Sequence, residues 1–501
     1  MKKYLSLMLA FLLSIFSIGS VNAKMTGPFT LTVDNAKSGH VYEAYQIFAG
    51  DVSIDGNTAD NTKIISNIVW GDGVDSSFTT KTAKEYAEIL SGYTSNSDEI
   101  IAATKELANH LISNKAHTGA FDDTTNTYTI SNLESGYYLV RDKKATLDGT
   151  TDDMGTGYIV KLVDNIEVTP KTSIPTPTKV IDEGNGVKAT ANYAFGEKVP
   201  FKLTGTLPTN YDFFESYQYI FHDTLDDGLT FNANSVKVYV GNTEIVSGFE
   251  LDTTATADHT FAVKFANTKA NTIKDANGNV VKITKDSVIT VKYNATVNTA
   301  AVSGLPGNEN KMVIEYSNNP GTNETGKTTE VTAKVYVFDL KFNKIRSDGN
   351  TALPGAQFKI ERKNGNNWET VSGITYTVTE NGTVFTFRGL SNGTYKVTET
   401  TTPDGYNTIK PFEFTIDANY DEDDATELES LDITSTETNE VARLSVEDTT
   451  TNSTVITTVT NIKGITLPLT GGIGTTIFTI LGLVIMAVAA LTLFKSKKEN
   501  N

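Results

Sequence analysis

Four runs, SVKVYV (235–240), SVITVKYNATV (287–297), KMVIEYS (311–317) and TVFTFRGL (383–390), alternate apolar with polar residues and are separated by Gly, Asn and Asp. A period of two puts every second side chain on the same face, so such a run buries one face and wets the other only as a strand. Strands joined by turn residues build antiparallel sheets that stack face to face. The expected class is mainly β, built of sandwiches. Helical periodicity is confined to about 80–92 and 97–113. The second stretch offers Ser97 as N-cap, Asp98 and Glu99 in the first turn, and Ile100, Ile101, Leu107 and Leu111 as an apolar stripe.

A chain of 501 residues holds several such units. TPKTSIPTPT (169–178) carries three prolines in ten residues and reads as a stiff extended linker. A second boundary is expected near 320–333, in PGTNETGKTTEVTA. The expected domains are 24–168, which holds the helices, then 176–332 and 334–463. LESGYYLVRD (133–142) echoes LSNGTYKVTE (390–399), with Leu, Gly, Tyr, Val and an acid at matching offsets. A generic hairpin can produce this pattern. It also fits a sandwich theme shared by the first and third domains.

The ends speak of export. Lys2 and Lys3, an apolar stretch from Tyr4 to Ile18 and then Val-Asn-Ala form a secretory signal, with cleavage expected after Ala23. Residues 477–494 are eighteen uncharged residues, long enough to cross a bilayer. The basic tail 495–501 stays in the cytoplasm by the positive-inside rule. The body between is expected outside the cell. Without 1–23 and 471–501 it keeps 37 of 42 basic and 59 of 60 acidic residues, a net charge of −22. That surface repels nucleic acid. There is no cysteine, so disulfides do not staple the domains.

Conventional chemistry is poorly supported. The histidines at 40, 110, 117, 222 and 259 have no metal-ligand spacing, and neither G-x-S-x-G nor a P-loop occurs. GGIG (471–474) lacks the surrounding strand–helix unit of a dinucleotide site. DANYDEDDATE (417–427) offers oxygens to calcium, but a solvated acidic loop is the expectation. His222 and Asp223 are strand neighbours facing opposite ways and form no catalytic pair. No cofactor and no metal are expected.

Leu467-Pro468-Leu469-Thr470-Gly471, followed by the apolar run and basic tail, resembles the wall-sorting signal of Gram-positive surface proteins. The resemblance implies that a sortase cuts between Thr470 and Gly471 and joins the Thr470 carbonyl to an amine. Pro468 fixes φ and gives the peptide a bend that an enzyme groove can read.

The resemblance extends inward. YKVTETTTPDGY (395–406) looks like the E-box of Gram-positive pilins, in a domain resembling the collagen-adhesin B repeat. FNKIRSDGNTALPGAQFKI (342–360) looks like that domain's first strand and turn, and TVTN (458–461) like its last strand. GHVYEAYQIFAGDVS (39–53) resembles the first domain of sortase-assembled backbone pilins. GEKVPFKLTGTLP (196–208) and YIFHDTLDDGLTF (219–231) resemble their second. The match runs through nearly the whole chain in order. It implies tandem immunoglobulin-like, collagen-adhesin-type sandwiches and the role of a major backbone, or shaft, pilin.

In that family a domain can carry a self-made isopeptide bond between Lys and Asn. The amine must be neutral and the assisting carboxyl protonated, and burial favours both. All three side chains must therefore face the core. In the third domain Lys344 shares parity with Phe338, Leu340 and Phe342, Glu399 with Tyr395 and Val397, and Asn461 with Val455 and Val459. Parity alone fits either this bond or a Lys344–Glu399 ion pair at a sheet edge; the E-box resemblance implies the bond. In the second domain Asp223 follows the parity of Tyr217, Tyr219 and Phe221, and Lys179 is the expected amine. Asn310 and Asn318 both follow Met312, Ile314 and Tyr316; Asn310 fits the family's position, and Asn318 reads as a turn residue. In the first domain no inward lysine stands out, which leaves open whether it carries such a bond. Asp142, which matches Glu399 in the echo, is read as an ordinary surface or hairpin contact.

The family's acceptor lysine sits in a V-Y-P-K motif. Here Val168-Thr169-Pro170-Lys171 stands at that place, with Thr169 for the tyrosine. The resemblance implies Lys171 as the acceptor for Thr470 of another copy, giving a head-to-tail polymer on peptidoglycan that supports adhesion. It also allows tip and base pilins and a host surface ligand as partners. The alternative is a monomeric wall-anchored adhesin or minor pilin with an inert Lys171.

Overall fold

The computed structural model describes residues 27–54, 63–94, 97–143, 154–155, 157–169, 173–320, 323–348, 351–425, 428–435, 444–447, 453–465 and 473–498. The expected signal peptide, Pro170 and Lys171, and the motif 467–471 lie outside these residues.

The strands form three successive sandwiches, and the four alternating runs lie in the second and third of them. The first has two four-stranded sheets, one centred on Thr127–Leu133 and Phe29–Val33, the other on Tyr42–Ile54 and Gly136–Asp142. Helices Ala83–Ser91 and Asp98–Asn109 add Tyr86, Leu90 and Leu107 to the core around Tyr45, Phe48 and Leu139. Ser97 caps the second helix by accepting from the Ile100 N–H, as expected. Thr82 and Glu85 close a capping box on the first.

The middle sandwich joins two seven-stranded sheets. One contains Pro177–Asp182, Lys198–Thr206 and Val288–Val297 as neighbours; the other contains Val331–Tyr336, Asn308–Ser317 and Tyr219–Leu225. Pro177 opens its strand, where a missing N–H is tolerated. The third sandwich has two five-stranded sheets. Its first strand, Phe338–Arg346, runs parallel to its last, Thr454–Asn461. The echo motifs lie on the strands Gly136–Asp142 and Gly393–Thr401.

Three expectations need correction. The segment 320–333, read as a boundary, holds strand Thr325–Lys327 and the start of Val331–Tyr336, and both pair with Asn308–Ser317. Its Thr and Val residues prefer the pleated surface despite the glycines around them. The chain instead passes between sandwiches at Val337, fully buried between Tyr336 and Phe338. Next, the acidic loop 417–427 is not simply solvated. The Glu422 carbonyl accepts from the Ala189 N–H (2.6 Å), the Asp424 carbonyl from the Thr190 hydroxyl (2.8 Å), and Lys188 pairs with Glu422 (2.9 Å), so the loop clasps the middle sandwich. No cluster suited to a metal occurs among the described residues. Finally, Asp142 is buried, 2.8 Å from His40 Nδ1, and is no surface contact.

The second and third sandwiches also meet through Phe195. Its N–H donates to the Gly389 carbonyl (3.0 Å), and its ring fills the space a Cβ on Gly389 would need. Gly389 has φ 87°, which glycine adopts without strain. Arg362 pairs with Glu197 across the same junction (3.1 Å).

The last element is helix Ile473–Lys498. Among the described residues no helix is long and apolar enough to cross a membrane. The eighteen-residue run of the sequence includes Phe494, whose side chain lies outside them. Ile477, Phe478, Ile480, Leu481, Leu483, Val484, Met486 and Leu493 are all exposed, so this helix has apolar residues on every side, and no core among the described residues buries them.

Candidate functional site

Two buried sets of lysine, acid and asparagine occupy the second and third sandwiches. In the middle one, Lys179 comes from the strand after the linker, on one sheet. Asp223 and Asn310 come from adjacent strands of the facing sheet, where Asp223 lies opposite Met312 and Asn310 opposite Leu225. Asp223 and Asn310 are fully buried, as is the Lys179 side chain. Lys179 Nζ donates to Asp223 Oδ2 and to the Lys311 carbonyl (3.3 Å). It lies 5.6 Å from the Phe201 ring centroid and 6.0 Å from that of Tyr293. Burial among these rings pulls the amine down to about 8 against the opposing pull of Asp223. Burial likewise raises the Asp223 carboxyl, with Lys179 opposing. Both shifts favour the neutral acid and the neutral amine.

In the third sandwich, Lys344 and Asn461 lie on neighbouring parallel strands, with Lys344 opposite Val459 and Asn461 one inward step further on. Lys344 is fully buried and donates to the carbonyls of Val459 (3.1 Å) and Ile345 (3.2 Å). Burial lowers its amine to about 8, and the Glu399 charge opposes that shift. Glu399 faces them from the other sheet. Its Oε2 accepts from Asn461 Nδ2 (3.0 Å), the Ile409 N–H (3.0 Å) and the Thr402 hydroxyl (3.3 Å). No Lys344–Glu399 hydrogen bond or ion pair at a sheet edge is seen among the described residues; the acid bonds the amide instead. In both sandwiches the asparagine Oδ1 is buried without a hydrogen-bond partner. That is costly in a resting core and leaves the carbonyl open to polarisation.

Asn318 is also fully buried, contrary to a turn residue's exposure, and its side-chain N and O lack partners. It lies six residues beyond Met312, roughly 20 Å along the strand direction from the Asp223 pairing position. It is therefore remote from the Lys179 set.

Tyr293 was not among the candidate residues. Its hydroxyl donates to Asp223 Oδ1 (2.8 Å) and accepts from Asn310 Nδ2 (2.5 Å). In the sequence it reads as one more core aromatic, since it shares parity with Val291 and Ala295.

His222 faces away from this site, as its parity requires. Its Nδ1 lies 3.0 Å from His259 Nδ1 and its Nε2 2.9 Å from Glu315. Asp252 and Lys264 complete the patch. Burial and then His222 hold the His259 imidazole below its usual pKa, and the His222 bond lowers Glu315. An imidazole depressed on folding leaves the unfolded chain to bind protons first, so stability falls as pH drops through about 6.5. Glu315 contributes stability present above its unfolded value and lost as pH falls through its lowered one. The middle sandwich should therefore unfold at lower temperature near pH 5.5 than near pH 7.5, and His259→Gln should flatten that slope. Calorimetry across this range checks it; an equal slope in the variant would contradict this assignment.

Residues 338–430 match the SpaA family, described as a prealbumin-like fold domain, and residues 460–501 match the LPXTG cell wall anchor motif. The chain is similar to the trypsin-resistant surface T6 protein of Streptococcus pyogenes serotype M6, with 30% identity over 261 residues. That match covers 47% of this chain and 44% of the relative, less than half of its length. The solved T6 backbone pilin of serotype M6 S. pyogenes, a modular three-domain structure, superposes with a TM-score of 0.52 at 19% identity. It covers 89% of this chain and 100% of that one, a likeness of fold.

Proposed function

We propose that this chain is the shaft subunit of a covalent surface pilus on a Gram-positive bacterium. A sortase cleaves between Thr470 and Gly471 and transfers the Thr470 acyl group to Lys171 of the next subunit, and finally to peptidoglycan. One observation carries this reading: an LPXTG anchor motif closes a chain whose tandem sandwiches share their fold with a backbone pilin over 89% of its length. The chain acts as a structural element and as the substrate of a transpeptidase.

Each buried set is read as the seat of an isopeptide bond, Lys179–Asn310 and Lys344–Asn461, assisted by Asp223 and Glu399. The buried amine passes a proton to the carboxylate and attacks the asparagine Cγ. The Cγ–Nδ2 bond breaks and ammonia leaves. The lowered lysines, the unpartnered asparagine oxygens and the absence of cysteine support this reading. The domains are read as 24–168, 176–337 and 338–463, the second boundary moved to the change of sheet at Val337. Tip and base pilins and a host ligand are further partners of such a shaft.

The test is a wall extract boiled in detergent and run on a denaturing gel. A ladder of very large species is expected. A single band would mean a wall-anchored monomer and would overturn the shaft role.

A further inference from the structure

We infer that Tyr293 is a second catalytic residue of the middle sandwich, beside Asp223, relaying a proton between Asp223 and the nitrogen that leaves Asn310. The inference rests on reading the Lys179 set as an isopeptide site. The observation behind it is a difference between the two sets. In the third sandwich Glu399 bonds the Asn461 amide directly, at 3.0 Å. In the middle sandwich the acid is an aspartate, one methylene shorter. Asp223 lies opposite Met312, so Asn310 is its diagonal neighbour, about 7–8 Å away between Cα atoms. The Tyr293 hydroxyl fills the gap, bonded to Asp223 Oδ1 on one side and Asn310 Nδ2 on the other.

The phenol is firmly placed. It enters from the facing sheet, on strand Val288–Val297, and is 2 % exposed. Phe201 stacks on the ring at 5.4 Å, and Phe231 and Phe261 meet it edge-on at 5.6 and 4.9 Å. A hydroxyl held this way can accept from one partner while donating to the other, and general acid–base help of this kind is worth about 10²–10⁴-fold in rate.

The proton count closes. Lys179 first gives one proton to Asp223. The amine attacks Cγ, forming Nζ–Cγ, and the carbonyl electron pair moves onto Oδ1. With Asp223 now protonated and Nδ2 now an amine with a free lone pair, the two hydrogen bonds reverse from their resting directions, and Asp223 protonates the Tyr293 oxygen as the tyrosine proton passes to Nδ2. Nζ returns a proton to Asp223, the Oδ1 pair reforms the carbonyl, and Cγ–Nδ2 breaks to release ammonia. Tyr293 ends unchanged and Asp223 ends protonated.

The test follows both linkages in the full chain by pulse-chase labelling and mass spectrometry of digests. Tyr293→Phe removes one oxygen and keeps the ring. It should form the Lys179–Asn310 link at least tenfold more slowly, with Lys344–Asn461 unchanged. Asp223→Glu added to Tyr293→Phe should regain much of the rate, because the longer acid reaches the amide as Glu399 does. Phe201→Leu, which loosens the packing and spares the hydroxyl, should link faster than Tyr293→Phe. Linkage in Tyr293→Phe at the parental rate overturns the relay. So does a Phe201→Leu defect as large as that of Tyr293→Phe, which would mean packing alone matters, or a double variant that regains nothing. A parental chain without the Lys179–Asn310 link would instead sink the isopeptide reading itself.

Discussion

Intact mass spectrometry of the exported chain should give a mass two ammonia molecules below that of its sequence, and Glu399→Ala should restore one of them. The variant keeps Lys344 and Asn461 side by side but loses the group that can move protons between them. Its thermal stability should fall steeply. A Lys344–Asn461 bond would close roughly 120 residues into a loop, and a constraint on so long a loop removes unfolded-chain entropy worth about 5 kcal/mol. Residues 338–463 form a domain of moderate size, so that loss corresponds to a drop of roughly 15–20 °C. The unpaired buried amine adds to the deficit. The melting transition of the third sandwich, followed by calorimetry beside the mass, checks both parts. A Glu399→Ala chain still two ammonia molecules below the mass of its own sequence would show that the bond forms without the acid.

Lys171→Ala should convert long fibres into folded, secreted, wall-attached monomer. This loss is close to complete because each subunit needs one acceptor. Thr470→Ala should lose wall attachment as well, since the acyl donor is gone. Joining the end of one subunit to the first junction of another is a head-to-tail contact, which does not close on itself and grows as a filament. Tension would then run from Lys171 through the second and third sandwiches to Thr470, past both buried sets, while the first sandwich stays beside the line. Bonds at the two buried sets would not enclose everything on that path. A Lys179–Asn310 bond leaves strands Thr325–Lys327 and Val331–Tyr336 outside its loop, held by their pairing with Asn308–Ser317. Immunoblots of cell-wall and medium fractions check both variants. Full-length fibres in Lys171→Ala would assign the acceptor to another lysine.

Much of the site was legible because a strand has a period of two. Lys344, Glu399 and Asn461 break the rule that charged and amide groups face water, and each extends an apolar face. Parity also separated His222 from Asp223. The same signal was present at Asp142, which follows Tyr138 and Val140 inward, yet without a lysine partner it read as a surface contact. Tyr293 was hidden for the opposite reason: an inward tyrosine in a strand looks like core, and only the partners of its hydroxyl distinguish it. Strand Val331–Tyr336 was blurred by the Gly, Asn and Thr before it, which are turn formers in isolation. Its pairing with Asn308–Ser317 is a tertiary choice that local composition does not carry. The clasp of the acidic loop on Ala189 and Thr190 uses mostly backbone carbonyls, which leave no mark in a sequence.

The covalent joint between subunits is open to one direct measurement. Native fibres stripped from the wall are digested and searched by tandem mass spectrometry for a branched peptide. The expected species has the Thr470 carbonyl amide-linked to the Lys171 side chain, with Gly471 and all that follows it absent. Fibres whose digests hold Lys171 only as an unmodified residue, with Thr470 joined to a different amine, would contradict it.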